Sequence, residues 1–229
     1  NYRRANARLR DAAHALSSVR DADSTLNTLK TLHGRYPGVV TRGALRALLP
    51  GLRARKRQAR RTARRTMRRA AAALKRARQI LPRQVGRVGD FKAVHAGALR
   101  TYRAARRSMR GLTVDGAAAE FHEWRKRVKD YWYDLRLFEG LHPAPRGRVR
   151  SIGQLEELLG DAHDLAMLHD QLLDGSARYA NARTRALMLG AISKGETSLR
   201  SRALQLGHRT FAERPRHFDK SLRTWWEDR

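Results

Sequence analysis

Apolar residues recur at spacings of three and four along most of the chain, the period of amphipathic helices. Gly and Pro interrupt this pattern and separate the helices that it predicts. The predicted helices cover 2–33, 52–81, 91–110, 117–139, 149–174, 177–193, 196–212 and 215–226, and a short apolar segment at 44–49 ends at Pro50-Gly51. No stretch alternates with period two for long enough to form a strand. The pattern therefore predicts an all-α fold.

The helix predicted at 52–81 combines a narrow apolar stripe with two rows of cations. The stripe, which we expect to pack on a neighbour, is formed by Ala59, Ala63, Met67, Ala70, Leu74 and Leu81. The first row is Arg53, Arg57, Arg60, Arg64, Arg68 and Lys75, and the second is Arg61, Arg65, Arg69 and Arg76. Neighbours within a row lie about 5–6 Å apart, so a linear polyanion could meet a cation at every step. We assign the first row to a polyanion and the second to solvent.

The helix predicted at 117–139 separates an aromatic face from a basic one. The face predicted to enter the core carries Phe121, Trp124, Val128, Trp132, Leu135 and Phe138. The other face carries His122, Arg125, Lys126, Lys129, Tyr133 and Arg136. An imidazole, several cations and a phenol in one line can hydrogen-bond and neutralise phosphate oxygens. A histidine on a helix is more often structural, but its alignment with the cations favours a shared binding surface.

The charged residues are unevenly distributed along the chain, and this distribution indicates where a ligand could bind. The 229 residues include 50 Lys and Arg, 42 of them Arg, and 21 Asp and Glu, a net charge of +29. Residues 24–114 contain 25 of those cations and a single acid, Asp90. Such a concentrated field indicates a surface that binds polyanions. The chain has no Cys, which excludes disulfides and thiolate chemistry, and no apolar run long enough to span a membrane.

Two motifs and a C-terminal segment together resemble one protein family. The motifs are His122-x-x-Arg125-Lys126-x-x-Lys129 with Tyr133, and Leu158-Leu159-Gly160-Asp161-Ala162-His163-Asp164-Leu165. With the segment from Ala203 to Trp226, they are similar to the CHAD domain, the conserved histidine α-helical domain. The resemblance implies two pseudo-symmetric antiparallel helical bundles around a basic central channel that binds inorganic polyphosphate. It also implies association with polyphosphate granules, so we expect a cytoplasmic protein located there.

An internal similarity indicates the two halves of such a fold. The segment from Leu16 to Asp23 matches Leu159 to Ala166 at a constant offset of 143 residues, which aligns Arg20-Asp21 with His163-Asp164. We therefore predict a first helical repeat at 1–114 and a second at 115–229, together one CHAD-like domain. The first copy of the His122 helix would fall before residue 1, so the first repeat is expected to lack its first helix. Asp21 and Asp164 either orient their neighbours toward the channel or, as we prefer, bond helix to helix.

The favoured function is polyphosphate binding without catalysis. The predicted binding residues are His122, Arg125, Lys126, Lys129, Tyr133, Arg57, Arg60, Arg64, Arg68, Arg20 and His163. The alternative is sequence-independent binding of DNA or RNA, although no zinc-finger spacing or stacking motif is present. A polyphosphate-processing enzyme ranks behind both, because phosphoryl transfer needs acids for metal ions and the basic segment has one. We expect no cofactor and no metal, although His163, Asp164, Glu156, Glu157 and Asp161 include possible ligand types.

Overall fold

The computed structural model describes residues 2–84, 91–174 and 182–228, and every regular element in these ranges is an α-helix. The helices are α1 (Tyr2–Arg35), α2 (Arg42–Gln84), α3 (Phe91–Met109), α4 (Ala118–Glu139), α5 (Pro145–Leu173), α6 (Ala182–Thr210) and α7 (Pro215–Glu227). The predicted all-α class is confirmed. Helices α1, α3, α4 and α7 begin and end within two residues of the predicted positions. Helix α5 begins at Pro145, earlier than predicted, because proline is well tolerated in the first turn of a helix.

The predicted break at Pro50-Gly51 is wrong, because α2 runs through it without interruption. An interior proline removes one helical hydrogen bond and costs about 3 kcal/mol. Here α2 packs along α1 and buries apolar side chains on both sides of the proline, Ala44 and Leu48 before it and Ala63 after it. This packing extends well beyond one turn of helix, so it offsets a single missing bond.

The predicted break between 193 and 196 is also wrong, because α6 is continuous there. Gly195 is buried inside α6, and a Cβ atom at this position would lie 3.1 Å from Cδ1 of Leu165 on α5. The glycine therefore permits close packing of two helices. Its intrinsic cost inside a helix is only about 1 kcal/mol relative to alanine. Residues 177–181 of the predicted helix lie outside the described residues.

The chain forms two compact units that interleave in sequence. The first comprises Asn1–Val88 and Met167–Ile192, and the second comprises Gly89–Ala166 and Ser193–Arg229. Helices α5 and α6 are each divided between the two units, with one part in the first and the other part in the second. The sequence repeats at 1–114 and 115–229 stay a prediction, as do their pseudo-symmetry and the basic channel.

The first unit has an aliphatic core contributed by α1, α2 and the adjoining parts of α5 and α6. Its buried side chains include Leu26, Leu29, Leu32, Val40, Leu48, Leu168, Leu172 and Met188. A buried hydrogen bond from Nε2 of Gln171 to Oγ1 of Thr25 (3.0 Å) joins α5 to α1. The ring of His33 is hydrogen-bonded through Nδ1 to the carbonyl of Val40, which ties the end of α1 to the start of α2.

The predicted apolar stripe of α2 is only partly buried. Ala63 and Ala70 are buried, whereas Met67 and Leu74 are 40% and 43% exposed. The side chain of Leu81 lies outside the described residues. The prediction that Met67 and Leu74 pack on a neighbour is therefore wrong. Periodicity gives the direction of an apolar side chain around the helix, but it does not give the width of the surface that meets it.

The second unit is built around aromatic rings. Fully buried rings include Tyr102, Trp124, Tyr131, Phe138 and Phe218, and the rings of Tyr102 and Phe218 stack with centroids 4.4 Å apart. On α4 the buried residues are Phe121, Trp124, Val128, Tyr131, Leu135 and Phe138. This confirms the predicted core face with one correction, since Tyr131 takes the place predicted for Trp132. Trp132 is half-buried, and the guanidinium of Arg136 lies 5.1 Å from its ring.

Candidate functional site

The basic face of α4 differs in exposure from one residue to the next. We call His122, Arg125, Lys126, Lys129 and Tyr133 the α4 row. His122 is exposed, Lys126 is 55% exposed and Tyr133 is 51% exposed. The side chains of Arg125 and Lys129 are 22% and 38% exposed. The row therefore consists of accessible groups with one largely covered guanidinium among them.

Arg125 of the first motif contacts α5 at Glu156 and at Gly160, and Gly160 belongs to the second motif. Its Nη2 lies 3.1 Å from Oε1 of Glu156, whose side chain is only 16% exposed. A Cβ atom at Gly160 would lie 3.1 Å from the same Nη2. The missing side chain at 160 thus provides the space in which the guanidinium lies across α5. Gly160 therefore leaves room for the guanidinium of Arg125 beside Glu156.

Each of the two lysines of the α4 row lies next to a different carboxylate, Glu156 for Lys129 and Glu123 for Lys126. Nζ of Lys129 lies 3.6 Å from the same Oε1 of Glu156, so that one oxygen faces two cations. Nζ of Lys126 lies 2.7 Å from Oε2 of Glu123, which also pairs with Arg127. Hydrogen bonds from Lys126 and Arg127 hold the pKa of Glu123 below its usual value. Each lysine of the row is therefore already accompanied by a carboxylate.

The two motif histidines are in contact. The rings of His122 on α4 and His163 on α5 have centroids 4.6 Å apart and an interplanar angle of 37°. They line a small cleft of the second unit together with Phe121, Leu159, Glu196 and Arg200. The structure thus brings together two residues that were predicted separately, 41 positions apart in the sequence.

Arg200 of α6 borders this cleft and fixes its edge. Its Nη1 donates to the carbonyl oxygens of Gly116 (2.8 Å) and Val114 (3.2 Å), and it forms an ion pair with Glu196. Its guanidinium also lies 4.5 Å from the ring centroid of Phe121. These contacts hold the turn that precedes α4 and therefore help to orient the helix that carries the α4 row.

The acidic side of α5 does not assemble a metal site in the part of the chain that the structure describes. No group of three or more His, Asp or Glu side chains there is arranged to hold a metal ion. The pKa of Asp161 is raised, first by burial and then by the nearby charges of Asp164 and Glu157. Like charges and partial burial both disfavour the ionised carboxylate.

In the first unit, the predicted binding arginines of α2 lie on the surface. We call Arg57, Arg60, Arg64 and Arg68 the α2 row, and all four are exposed. Asp23 of α1 pairs with Lys56 and lies 3.6 Å from Nη2 of Arg60. The hydrogen bond from Lys56 is the main cause that lowers the pKa of Asp23. Arg20 is 69% exposed and lies 3.4 Å from the carboxylate of Asp21.

The sequence interpretation missed Glu156, Gly160 and Arg200 as parts of the α4 surroundings. The sequence indicates Glu156 only as a possible metal-ligand type, and it predicts no contact between Arg200 and the segment before α4. One signal was available for Gly160, since a glycine inside a predicted helix indicates close packing. Arg125, a partner of Glu156, lies 31 residues away, and Gly116, which accepts a hydrogen bond from Arg200, lies 84 residues away, so no local pattern could identify these two contacts. The ion pair of Arg200 with Glu196, four residues away on α6, is a local pair that the spacing does contain.

None of the described helices is long and apolar enough to cross a membrane.

Comparison with known proteins gives a match to one family model. Neither a curated protein nor a solved structure matches the chain. The family model of the CHAD domain matches residues 1–173, a range that includes both motifs and the segment around Arg20-Asp21 but not the C-terminal segment from Ala203 to Trp226. Because the match covers well over half of the residues and contains both motifs, the chain belongs to the CHAD domain family.

Proposed function

We propose that this CHAD domain binds inorganic polyphosphate through charge and hydrogen bonding and does not alter it chemically. The observation that carries the proposal is the α2 row. Its four arginines are exposed at spacings of three and four residues along one continuous helix. One carboxylate, Asp23, is paired with this row in the part of the chain that the structure describes. A row of exposed cations with so little acid nearby suits a linear polyanion.

The α4 row supports the same proposal with different chemistry. Lys126 and Lys129 supply point charges, while Tyr133 and His122 supply groups that can donate to phosphate oxygens. Affinity would come mainly from cations that neutralise phosphates and release counterions, so binding should weaken steeply as salt is raised. In a cell, a domain that binds this polymer would accumulate at cytoplasmic polyphosphate granules.

A competition experiment tests the proposal. Labelled long-chain polyphosphate is bound to the protein at physiological salt, and unlabelled polyphosphate or duplex DNA is added at equal phosphate concentration. We expect polyphosphate to displace the label and DNA to be a much weaker competitor per phosphate. DNA that competes equally well would favour the alternative, backbone-driven binding of nucleic acid.

A second arm tests the absence of catalysis. Phosphate release from polyphosphate is followed with Mg²⁺ and with Mn²⁺, the ions that most phosphoryl-transfer enzymes use. We expect no release above the rate without protein. Release that depends on the protein and on the metal would identify an enzyme and overturn this part of the proposal.

A further inference from the structure

We propose that Glu156 is an internal competitor for the phosphate groups of the ligand and thereby sets the affinity of the α4 row. The inference rests on the proposed function, since it concerns how the same surface binds polyphosphate. The carboxylate lies between Arg125 and Lys129, with one oxygen 3.1 Å from the guanidinium and 3.6 Å from the ammonium. A carboxylate in this position takes the place that a phosphate oxygen would occupy.

The contact between Arg125 and Glu156 is an ion pair without hydrogen-bond geometry. Oε1 of Glu156 and Nε of Arg125 are both buried, and neither atom makes a hydrogen bond with any residue that the structure describes. A buried polar atom without a partner destabilises the folded protein, because it has lost its hydrogen bonds to water. The contact with Glu156 is therefore held by charge, and a phosphate can approach the 22% of the Arg125 side chain that is exposed and the neighbouring ammonium of Lys129.

Charge gives the direction of the effect. With Glu156 ionised, the group formed by Arg125, Lys129 and Glu156 carries one net positive charge, and without the carboxylate it would carry two. A phosphate next to Lys129 is repelled by Glu156 at short range. Since the Glu156 side chain is largely buried, water and salt screen this repulsion less than they would at the surface.

Glu123 provides an internal comparison. It also pairs with a lysine of the row, at 2.7 Å from Nζ of Lys126, but its side chain is 44% exposed. The attraction within an exposed pair is small because water and salt screen it. If burial is what makes Glu156 effective, then removal of the same charge at 123 has a smaller consequence.

The test is polyphosphate affinity across a series of salt concentrations for the full chain carrying Glu156→Gln. The amide keeps the size of the side chain and an oxygen that faces Arg125. We expect affinity to rise roughly 3- to 10-fold, and the slope of log K against log salt to steepen by about 0.7. Glu123→Gln should give a smaller rise, and Glu227→Gln, an exposed carboxylate on α7, should give none.

Two further measurements separate the possible failures. The gain in polyphosphate affinity from Glu156→Gln should be smaller in a protein that also carries Lys129→Gln, because the ammonium that Glu156 neutralises is then absent. If Glu156→Gln lowers the affinity while circular dichroism is unchanged, then Glu156 positions the cations and does not compete with phosphate. If the gains in affinity at 156, 123 and 227 are equal, then the net charge of the protein explains the effect. Either result overturns the inference and leaves the proposed function intact. No binding by the unaltered protein would instead refute the proposed function, and the inference with it.

Discussion

The backbone of Gly207 on α6 lies directly against the indole of Trp124 on α4. A Cβ atom at 207 would stand 2.7 Å from Cζ2 and 2.9 Å from Cη2 of that ring. The ring is fully buried and cannot move without displacing the aromatic core of the second unit. Helices α4 and α6 can therefore approach this closely only because residue 207 has no side chain.

Gly207→Ala should destabilise the protein by about 1–3 kcal/mol, the usual cost of overpacking a filled core. The measurement is the free energy of unfolding in urea. Gly190→Ala on the same helix is the matched control, since a Cβ there meets nothing within 4 Å, and it should be neutral or stabilising. A Cβ at 207 would also lie 2.7 Å from Sδ of Met109, so equal effects at 190 and 207 would show that helix propensity, and not contact with Trp124 and Met109, governs both.

Arg200→Lys should destabilise the second unit by roughly 1–3 kcal/mol. A lysine cannot reproduce the planar set of donors that reaches Glu196 and the carbonyl oxygens of Gly116 and Val114. Thermal unfolding followed by circular dichroism provides the measurement. Arg202→Lys, at an exposed position of the same helix, is the control and should change little. A decrease in stability at 202 as large as at 200 would contradict the role assigned to Arg200.

Asp134→Asn should stabilise the protein at neutral pH. Burial raises the pKa of Asp134, whose Oδ2 accepts a hydrogen bond from Oγ1 of Thr101 at 3.0 Å. A carboxyl group with a raised pKa binds its proton more tightly in the folded state, so its contribution to stability falls as pH rises through the unfolded and then the folded pKa. The gain from Asn should therefore be present at pH 7 and disappear below about pH 4.

Asp115→Asn is the control for that comparison. Residue 115 is exposed and precedes α4, so removal of its charge should change the free energy of unfolding little at any of these pH values. Urea unfolding at several pH values measures both variants. A gain for Asp134→Asn that is constant across this pH range would rule out the raised pKa as its cause.

Replacement of Arg57, Arg64 and Arg68 by Gln should weaken polyphosphate binding. The magnitude of the salt slope should also fall by about 0.7 for every phosphate that the variant no longer neutralises. The matched control replaces Arg61, Arg69 and Arg76, which are also exposed and carry the same charge on the second row of α2. The assignment of the first row predicts the larger decrease in affinity at 57, 64 and 68. A larger decrease in the control set would reverse the assignment of the two rows.

Lys126→Gln combined with Lys129→Gln should reduce polyphosphate affinity and leave the helical content unchanged. Both ammonium groups are more exposed than the guanidinium of Arg125, which is packed against Glu156. Replacement of Arg125 by Glu would place two carboxylates together at a largely buried position, so the lysines give the cleaner test. Lys220→Gln with Arg214→Gln removes the same charge from exposed positions and should have less effect. Equal decreases in affinity would mean that net charge alone determines binding.

The ends of α1, α3, α4 and α7 were predicted from the sequence to within two residues. The segment after Arg35 ends α1 as predicted, and the apolar period of α4 identified five of its six core residues. The predictions failed at Pro50 and Gly195, where a residue that locally disfavours helix lies inside one. In both cases packing against another helix outweighs the local preference, and the residues around the proline or glycine do not reveal that packing.

The candidate site was also predicted only in part from the sequence. Arg57, Arg60, Arg64 and Arg68 were predicted from the spacing of charges alone, and the structure places them on the surface of α2. The α4 row was also predicted from spacing, but its pairing was not. Spacing specifies which side chains share a face, whereas the partner of a charge is supplied by another helix.

The sequence by itself determined the helical class, the family, and the concentration of cations on α2 and α4, because these depend on composition and on the local period of the chain. Only the tertiary structure decided that Arg125 and Lys129 share one carboxylate, that His122 meets His163, and that Gly160 and Gly207 make room for Arg125 and Trp124. These relationships join residues on different helices, and they depend on distances of a few ångströms that no pattern along one helix contains.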